Sequence, residues 1–274
     1  MSDARSVGII DSGIGGLAVA REISRLMPGE RIVYFGDTAR FPLGNRPDAA
    51  IRSCALDGAA VLLAHDVKIV VIASATLSAI ACEAVELSVR DIPVIGSVLP
   101  GARAAVLRTG DRKIGVIGTC ATIRRNAYQE AIERIDASVK VYGNAVPLFT
   151  PLVEEMMFDH DITRLAAQFY LYEMTDLGVD CLVVSSSYFT PLLEVIQGTV
   201  GTRMQLIDTA LWTAKEVQDI LTALDIRNEA TSGGTAASRF LFTEDPLPSS
   251  GRVTTFYGSE LPSCELYKKD RGVP

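Results

Sequence analysis

Ala73-Ser74-Ala75-Thr76 and Ser185-Ser186-Ser187-Tyr188-Phe189 each follow an apolar run, where a strand would deliver side chains to an active-site loop. Neither segment holds a Cys, His, Lys or carboxylate. A serine hydroxyl is far too weak an acid to ionise at neutral pH, much as water is, and is a poor base without a metal or strong partner. These segments suit hydrogen bonding to a ligand or to a developing oxyanion. The two histidines, His65 and His160, read as surface residues, the second in the acidic loop Asp159-His160-Asp161.

A third segment, Asp11-Ser12-Gly13-Ile14-Gly15-Gly16, has three readings. It follows a strand and opens a helix, so its N–H groups and the helix dipole suit an anion. Gly13-x-Gly15-x-x-Ala18 also fits the dinucleotide fingerprint, with Asp37 about 20 residues on in the place of a ribose partner. Asp11 counts against that, because its carboxylate would lie near the pyrophosphate. A purely structural strand-to-helix turn is the third reading.

Around these segments, short β-rich runs alternate with helical patterns. Val7–Ile10, Arg31–Phe35, Lys68–Ala73 and Pro93–Ile95 read as strands, with helices over Leu17–Leu26, Asp48–Ala64 and Thr76–Leu87. A second series repeats the first: strands Lys113–Ile117, Val139–Tyr142, Cys181–Val184 and Gln205–Ile207, helices Ala121–Ile135, Ile162–Leu177 and Pro191–Gln197. The tail adds a helix over Ala210–Leu224, a strand over Arg239–Thr243 and a turn-rich stretch, Glu244–Gly251. The expected fold is α/β, with two similar lobes, each a mainly parallel sheet flanked by helices, and a cleft between them. Residues 1–97 with 208–274 would form one lobe and 98–207 the other, joined near Gly96–Pro100. Ligands of such sheets bind beyond the carboxyl ends of the strands.

Composition narrows the partners. At 274 residues and 48% hydrophobic content the chain can bury a sizeable core. A net charge of -7 argues against nucleic acid, with Arg124-Arg125 and Lys268-Lys269 as solvated positions. No run is long and apolar enough for a membrane span, and Met1–Ser6 does not read as a secretory signal, so a cytoplasmic protein is expected. The five cysteines show no C-x-x-C spacing, which points to buried free thiols and to no metal site.

The motifs carry a family resemblance. Gly8-Ile9-Ile10-Asp11-Ser12-Gly13-Ile14-Gly15-Gly16-Leu17 and Tyr34-Phe35-Gly36-Asp37-Thr38-Ala39-Arg40-Phe41-Pro42-Leu43-Gly44-Asn45 closely resemble the opening motifs of glutamate racemase, in the aspartate/glutamate racemase superfamily. Pro100–Ala105, Ile114–Thr119, Pro147-Leu148-Phe149 with Val153-Glu154-Glu155, and Ile207-Asp208 continue it, over roughly the first 210 residues. The resemblance implies a cofactor-independent isomerase in which two cysteines exchange the α-proton of glutamate on opposite faces. The first cysteine motif resembles Ala-Cys-Asn-Thr, so Ser74 stands at the thiol and Ala75 at the asparagine. The second resembles Gly-Cys-Thr-His-Tyr-Pro-Leu-Leu. Anchored on Pro191-Leu192-Leu193, it puts the thiol on Ser187, the threonine on Tyr188 and the histidine on Phe189; a one-residue shift moves the thiol to Ser186.

By the same resemblance Ser12, Pro42, Gly44, Asn45 and Thr76 fall where substrate carboxylates are held, with Leu43 in place of a tyrosine. Asp11 and Glu154 fall on carboxylates that assist the chemistry. The expectation is a divergent member that binds a small carboxylic acid or amino acid, with a homodimer as a possible assembly. Three functions remain open: altered chemistry through Asp11, Tyr188 or a positioned water; a catalytically silent protein that binds a ligand or partner; and glutamate racemase itself.

Overall fold

The β-branched runs become the central strands of two parallel sheets. The computed structural model describes residues 3–245 and 250–268. Strands β1 (Ser6–Asp11), β2 (Ile32–Gly36), β3 (Val67–Ile72), β4 (Val94–Gly96), β9 (Arg239–Phe242) and β10 (Glu265–Leu266) form the first sheet, in the order β10-β9-β2-β1-β3-β4. Strands β5 (Lys113–Gly118), β6 (Lys140–Ala145), β7 (Cys181–Val184) and β8 (Gln205–Asp208) form the second, in the order β6-β5-β7-β8. All the pairings are parallel, in keeping with strands that are apolar on both faces and covered by helices.

Helices α1 (Leu17–Leu26), α2 (Asp48–Leu63) and α3 (Ala75–Val89) alternate with the first strands, as the sequence pattern predicts. Several boundaries differ from that pattern for local reasons. The junction near Gly96–Pro100 runs into a helix, α4 (Val98–Arg108), because Pro100 lies in the first turn, where its missing N–H has no partner to lose. The helix expected over Ala121–Ile135 is two, α5 (Cys120–Arg124) and α6 (Ala127–Ile135), broken at Asn126 with φ 54°. Asn tolerates that left-handed conformation better than most residues. The expected Pro191–Gln197 helix is a 3₁₀ turn, Ser187–Leu192, followed by α9 (Leu193–Val200).

The second sheet also carries α7 (Phe149–Glu154) and α8 (Asp161–Asp176), while α10 (Thr209–Ala223) packs across α1 and α4. Of the turn-rich stretch 244–251, residues 246–249 lie outside the described residues; its end opens α11 (Ser250–Tyr257), an element too short for periodicity to reveal. No described helix is long and apolar enough to cross a membrane.

One ion pair ties the base of the first sheet together. Lys68 Nζ lies 2.7 Å from Glu30 Oε2, and both side chains are fully buried. The ammonium also donates to the Asp3 and Ile226 carbonyls at 2.8 Å. A desolvated charge is tolerated only when paired and hydrogen-bonded in this way. Lys68→Met should therefore destabilise the protein by about 3–5 kcal/mol by stranding Glu30, and adding Glu30→Leu should recover much of that loss. Urea unfolding of the two variants checks it.

Candidate functional site

The turn after β1 folds around its own carboxylate. Asp11 Oδ2 accepts from Gly13 N–H at 2.9 Å and from the Tyr34 hydroxyl at 3.3 Å, and the Ser12 and Gly16 amides also face this carboxyl. The expectation that these amides hold a ligand anion is therefore corrected: they already serve Asp11. The dinucleotide reading falls for the same reason. It falls again at Asp37, which is buried and bonded to Arg40, Cys54 and Thr243. Burial holds the Asp11 carboxyl above the usual carboxylate range, against the pull of its hydrogen bonds.

Glycine is required where this turn meets its neighbours. A Cβ on Gly15 would lie 2.9–3.0 Å from Tyr188, and one on Gly16 2.8 Å from the Asp11 and Ala73 side chains. The two βα turns of the first sheet thus pack against the Ser187–Leu192 turn of the second. Ser74 caps α3, accepting from Leu77 N–H at 3.4 Å, and receives the Ser12 hydroxyl at 3.3 Å. Across the cleft, Thr76 Oγ1 lies 2.9 Å from Thr119 Oγ1 and 3.3 Å from Thr122 Oγ1. Ala121 N–H donates to the Gly44 carbonyl at 3.0 Å.

These contacts enclose a cavity of about 290 Å³ at the carboxyl ends of both sheets. Asp11, Ser12, Pro42, Leu43, Gly44, Asn45, Ser74 and Thr76 line it from the first sheet, and Ser186, Ser187 and Tyr188 from the second. No Lys, Arg or His is among the lining residues, so a carboxylate here would be held by hydroxyls, amides and helix N-termini. Two expected residues are not in the lining. Ala75 is buried as the first residue of α3, and Glu154 lies behind Tyr188, whose hydroxyl it accepts.

Tyr188 is the busiest residue of the second wall. Its ring lies between Phe41 and Phe256, at 4.9 and 5.0 Å between centroids. Glu154 also takes the Arg252 guanidinium, from α11, so one carboxylate bridges phenol and cation. Phe189, by contrast, is fully buried against Phe149 at 5.5 Å. Ser187 is buried with its hydroxyl 3.5 Å from the Ala73 carbonyl, whereas Ser186 is half-buried. Sequence reasoning missed Arg252, which nothing local marks, and Thr119 and Cys120, which the Ile114–Thr119 motif would have brought into view.

The expectation of buried cysteines holds only for Cys54 and Cys181; Cys82 and Cys120 are half-buried and Cys264 is exposed. Burial pushes the thiols of Cys82 and Cys181 up to about 12 and that of Cys54 higher still. Cys120 alone among them lines the cavity. No cluster of three or more His, Cys, Asp or Glu placed to hold a metal occurs among the described residues.

Fold and cavity together define a class: two-lobed α/β proteins whose two parallel sheets turn their carboxyl ends to one cavity. The chain is 38% identical over 266 residues, 97% of each chain, to a glutamate racemase of Chlorobaculum tepidum. Its structure matches a glutamate racemase isoform of Bacillus anthracis with TM-score 0.91 at 31% identity, over 96% of this chain and 97% of that one. It also matches the glutamate racemase of Francisella tularensis in complex with D-glutamate, with TM-score 0.90 at 32% identity, over 98% and 99%. No protein-family model matches. The chain belongs to the glutamate racemase family.

Two measurements test the site. Because burial makes the folded Asp11 carboxyl bind its proton more tightly than the unfolded one, its contribution to stability falls as pH rises through the ordinary carboxylate range and above it. Asp11→Asn, which keeps the acceptor for Gly13, should gain stability relative to wild type between pH 4 and pH 8 in urea unfolding. Separately, maleimide at pH 8 should label Cys120 and Cys264 faster than Cys54, Cys82 and Cys181, as read by peptide mass spectrometry. A cleft ligand should protect Cys120 and leave Cys264 unaffected.

Proposed function

We propose that this protein is an amino-acid isomerase of the glutamate racemase type, binding glutamate or an amino acid of the same form between lobes of residues 1–97 with 208–274 and 98–207. It needs no cofactor, works in the cytoplasm and assembles as a homodimer. The observation that carries this reading is one cavity with Ser12, Ser74 and Thr76 on one wall and the Ser186–Tyr188 turn on the other. It occurs in a chain that matches glutamate racemases along nearly its whole length.

In this proposal the protein diverges from its relatives in the groups that move the proton. Ser74, with Ser186 at the second thiol position, holds developing negative charge by hydrogen bonds. Ser186 is preferred over Ser187 because Tyr188 faces the cavity and Phe189 does not, which sets Tyr188 in the place of the family's histidine and makes Thr190 the extra residue. Asp11 removes the α-proton: a carboxyl raised by burial is a stronger base once ionised. The Tyr188 phenol, which donates to Glu154, gives a proton to the opposite face and is left as phenolate while Asp11 keeps the proton it took. The reverse direction starts from that pair, with the phenolate as base and the Asp11 carboxyl as acid.

A second reading, a silent ligand-binding homologue, is favoured by one observation: the Ser74 and Ser187 hydroxyls are already engaged with Ser12 and the Ala73 carbonyl. Proton NMR of glutamate in heavy water separates the two. The isomerase reading expects loss of the α-proton signal, abolished in Asp11→Asn and slowed at least about a hundredfold in Tyr188→Phe. Ser12→Ala should weaken glutamate binding about ten- to a hundredfold. Binding without exchange selects the silent homologue, and neither binding nor exchange overturns both.

A further inference from the structure

The Tyr188 hydroxyl meets a carboxylate that already has a cation on its far side. Tyr188 donates to one oxygen of Glu154, and the Arg252 guanidinium donates to the other. The tyrosine is 6% exposed, with its ring between Phe41 and Phe256, so water screens little of the charge that forms at its oxygen. Arg252 and Phe256 are four residues apart on α11, and one face of that helix supplies both the guanidinium and the ring. Phe256 is fully buried, which anchors α11 beside the Ser187–Leu192 turn.

We infer that Arg252 is the counter-ion that lets Tyr188 become phenolate beside Glu154. When the phenol gives its proton to the α-carbon, the electron pair of the O–H bond stays on oxygen. A phenolate then stands within hydrogen-bond reach of a carboxylate, and two like charges in one site oppose each other. The guanidinium offsets one of them, so the three groups carry one net negative charge after proton transfer instead of two. The Arg252 side chain is only 19% exposed, which keeps its field from being lost to solvent. No Lys, Arg or His lines the cavity itself, so this positive charge reaches Tyr188 from behind. A guanidinium stays charged and passes no proton. Arg252 is therefore a positioning residue that acts through Glu154.

The other charged groups on the elements packed against this turn are engaged elsewhere. Arg40, beside Phe41, pairs with Asp37 and Asp57. On α1, Arg21 and Arg25 pair with Glu22, and Arg21 also donates to the Phe256 carbonyl. Glu194 of α9 lines a separate groove with Asp208, and Lys215, Glu216 and Asp219 of α10 line another with Trp212. Asp11 and Cys120 share the cavity with Tyr188. The use of Arg252 in catalysis rests on the isomerase reading, whereas the ionisation of Tyr188 can be measured without substrate.

Titration by NMR of ligand-free protein carrying carbon-13 at the tyrosine Cζ tests it, with the Tyr188 resonance assigned by its loss in Tyr188→Phe. Arg252→Gln should raise the pH at which Tyr188 ionises by about one unit or more, and Arg252→Lys should move it much less. Arg252→Gln with Glu154→Gln should return it toward the wild-type pH, because the unopposed carboxylate is gone. In α-proton exchange, Arg252→Gln should lower kcat about three- to tenfold with KM nearly unchanged, and Arg252→Lys should keep most of the rate. A Tyr188 that ionises at the wild-type pH in folded Arg252→Gln overturns the counter-ion. So does a shift that the double variant retains, which marks a displaced turn instead. A shift with kcat unchanged overturns its use in the reaction. A reversible shift in a wild-type protein that exchanges no α-proton overturns the isomerase reading and leaves the counter-ion standing.

Discussion

Parallel strands release their chains at one end, and this polarity organises everything else in the molecule. The segments after β1, β2 and β3 in one sheet and after β5, β6 and β7 in the other all line one cavity. Six connections from distant parts of the chain therefore meet at the carboxyl ends of the strands. The meeting is close enough that Gly15 has no room for a side chain beside Tyr188. Hydroxyl contacts join the walls at the cavity, Thr76 with Thr119 and Thr122, and Ser187 with the Ala73 carbonyl, beside a hydrophobic core that runs on from Ile9 and Leu17 to Phe149, Leu182 and Phe189. Such neutral hydrogen bonds contribute about 1 kcal/mol each.

The electrostatic character of the cavity follows from what its walls leave out. No cation lines it, and its one lining carboxylate is folded back onto the amides of its own turn. Those amides stabilise the ionised form while burial opposes it, and burial prevails. Arg252 stands behind Tyr188, paired to Glu154, which also accepts the Tyr188 hydroxyl. The charge of any anionic ligand there would be met by oriented dipoles and not by a cation.

Much of this was legible beforehand, because α/β alternation is a local signal. The period of the apolar residues placed the strands β1 to β9 and most helices, since each strand needs both faces apolar and each helix one. The motifs also named the walls of the cleft: Asp11, Ser12, Leu43, Gly44, Asn45, Ser74, Thr76 and Ser186 to Tyr188 all line the cavity. Short elements stayed hidden. The six residues of α7 and the eight of α11 are too brief to show a helical period, and their ends are set by packing.

Tertiary structure alone decided where side chains point and what they meet. From sequence the glycine turn still allowed an anion at its amides, and the fold shows Asp11 occupying them. Phe189 and Tyr188 are neighbours in sequence, yet the 3₁₀ turn sends one into the core and the other into the cleft. Arg252 reaches Glu154 across 98 positions of chain, a distance no periodicity encodes. The amino-acid sequence by itself determined the residue chemistry available, including the serines at 74, 186 and 187. Which hydroxyl, thiol or carboxyl shares a cavity with which depends on long-range packing, and only the folded chain brings those groups together.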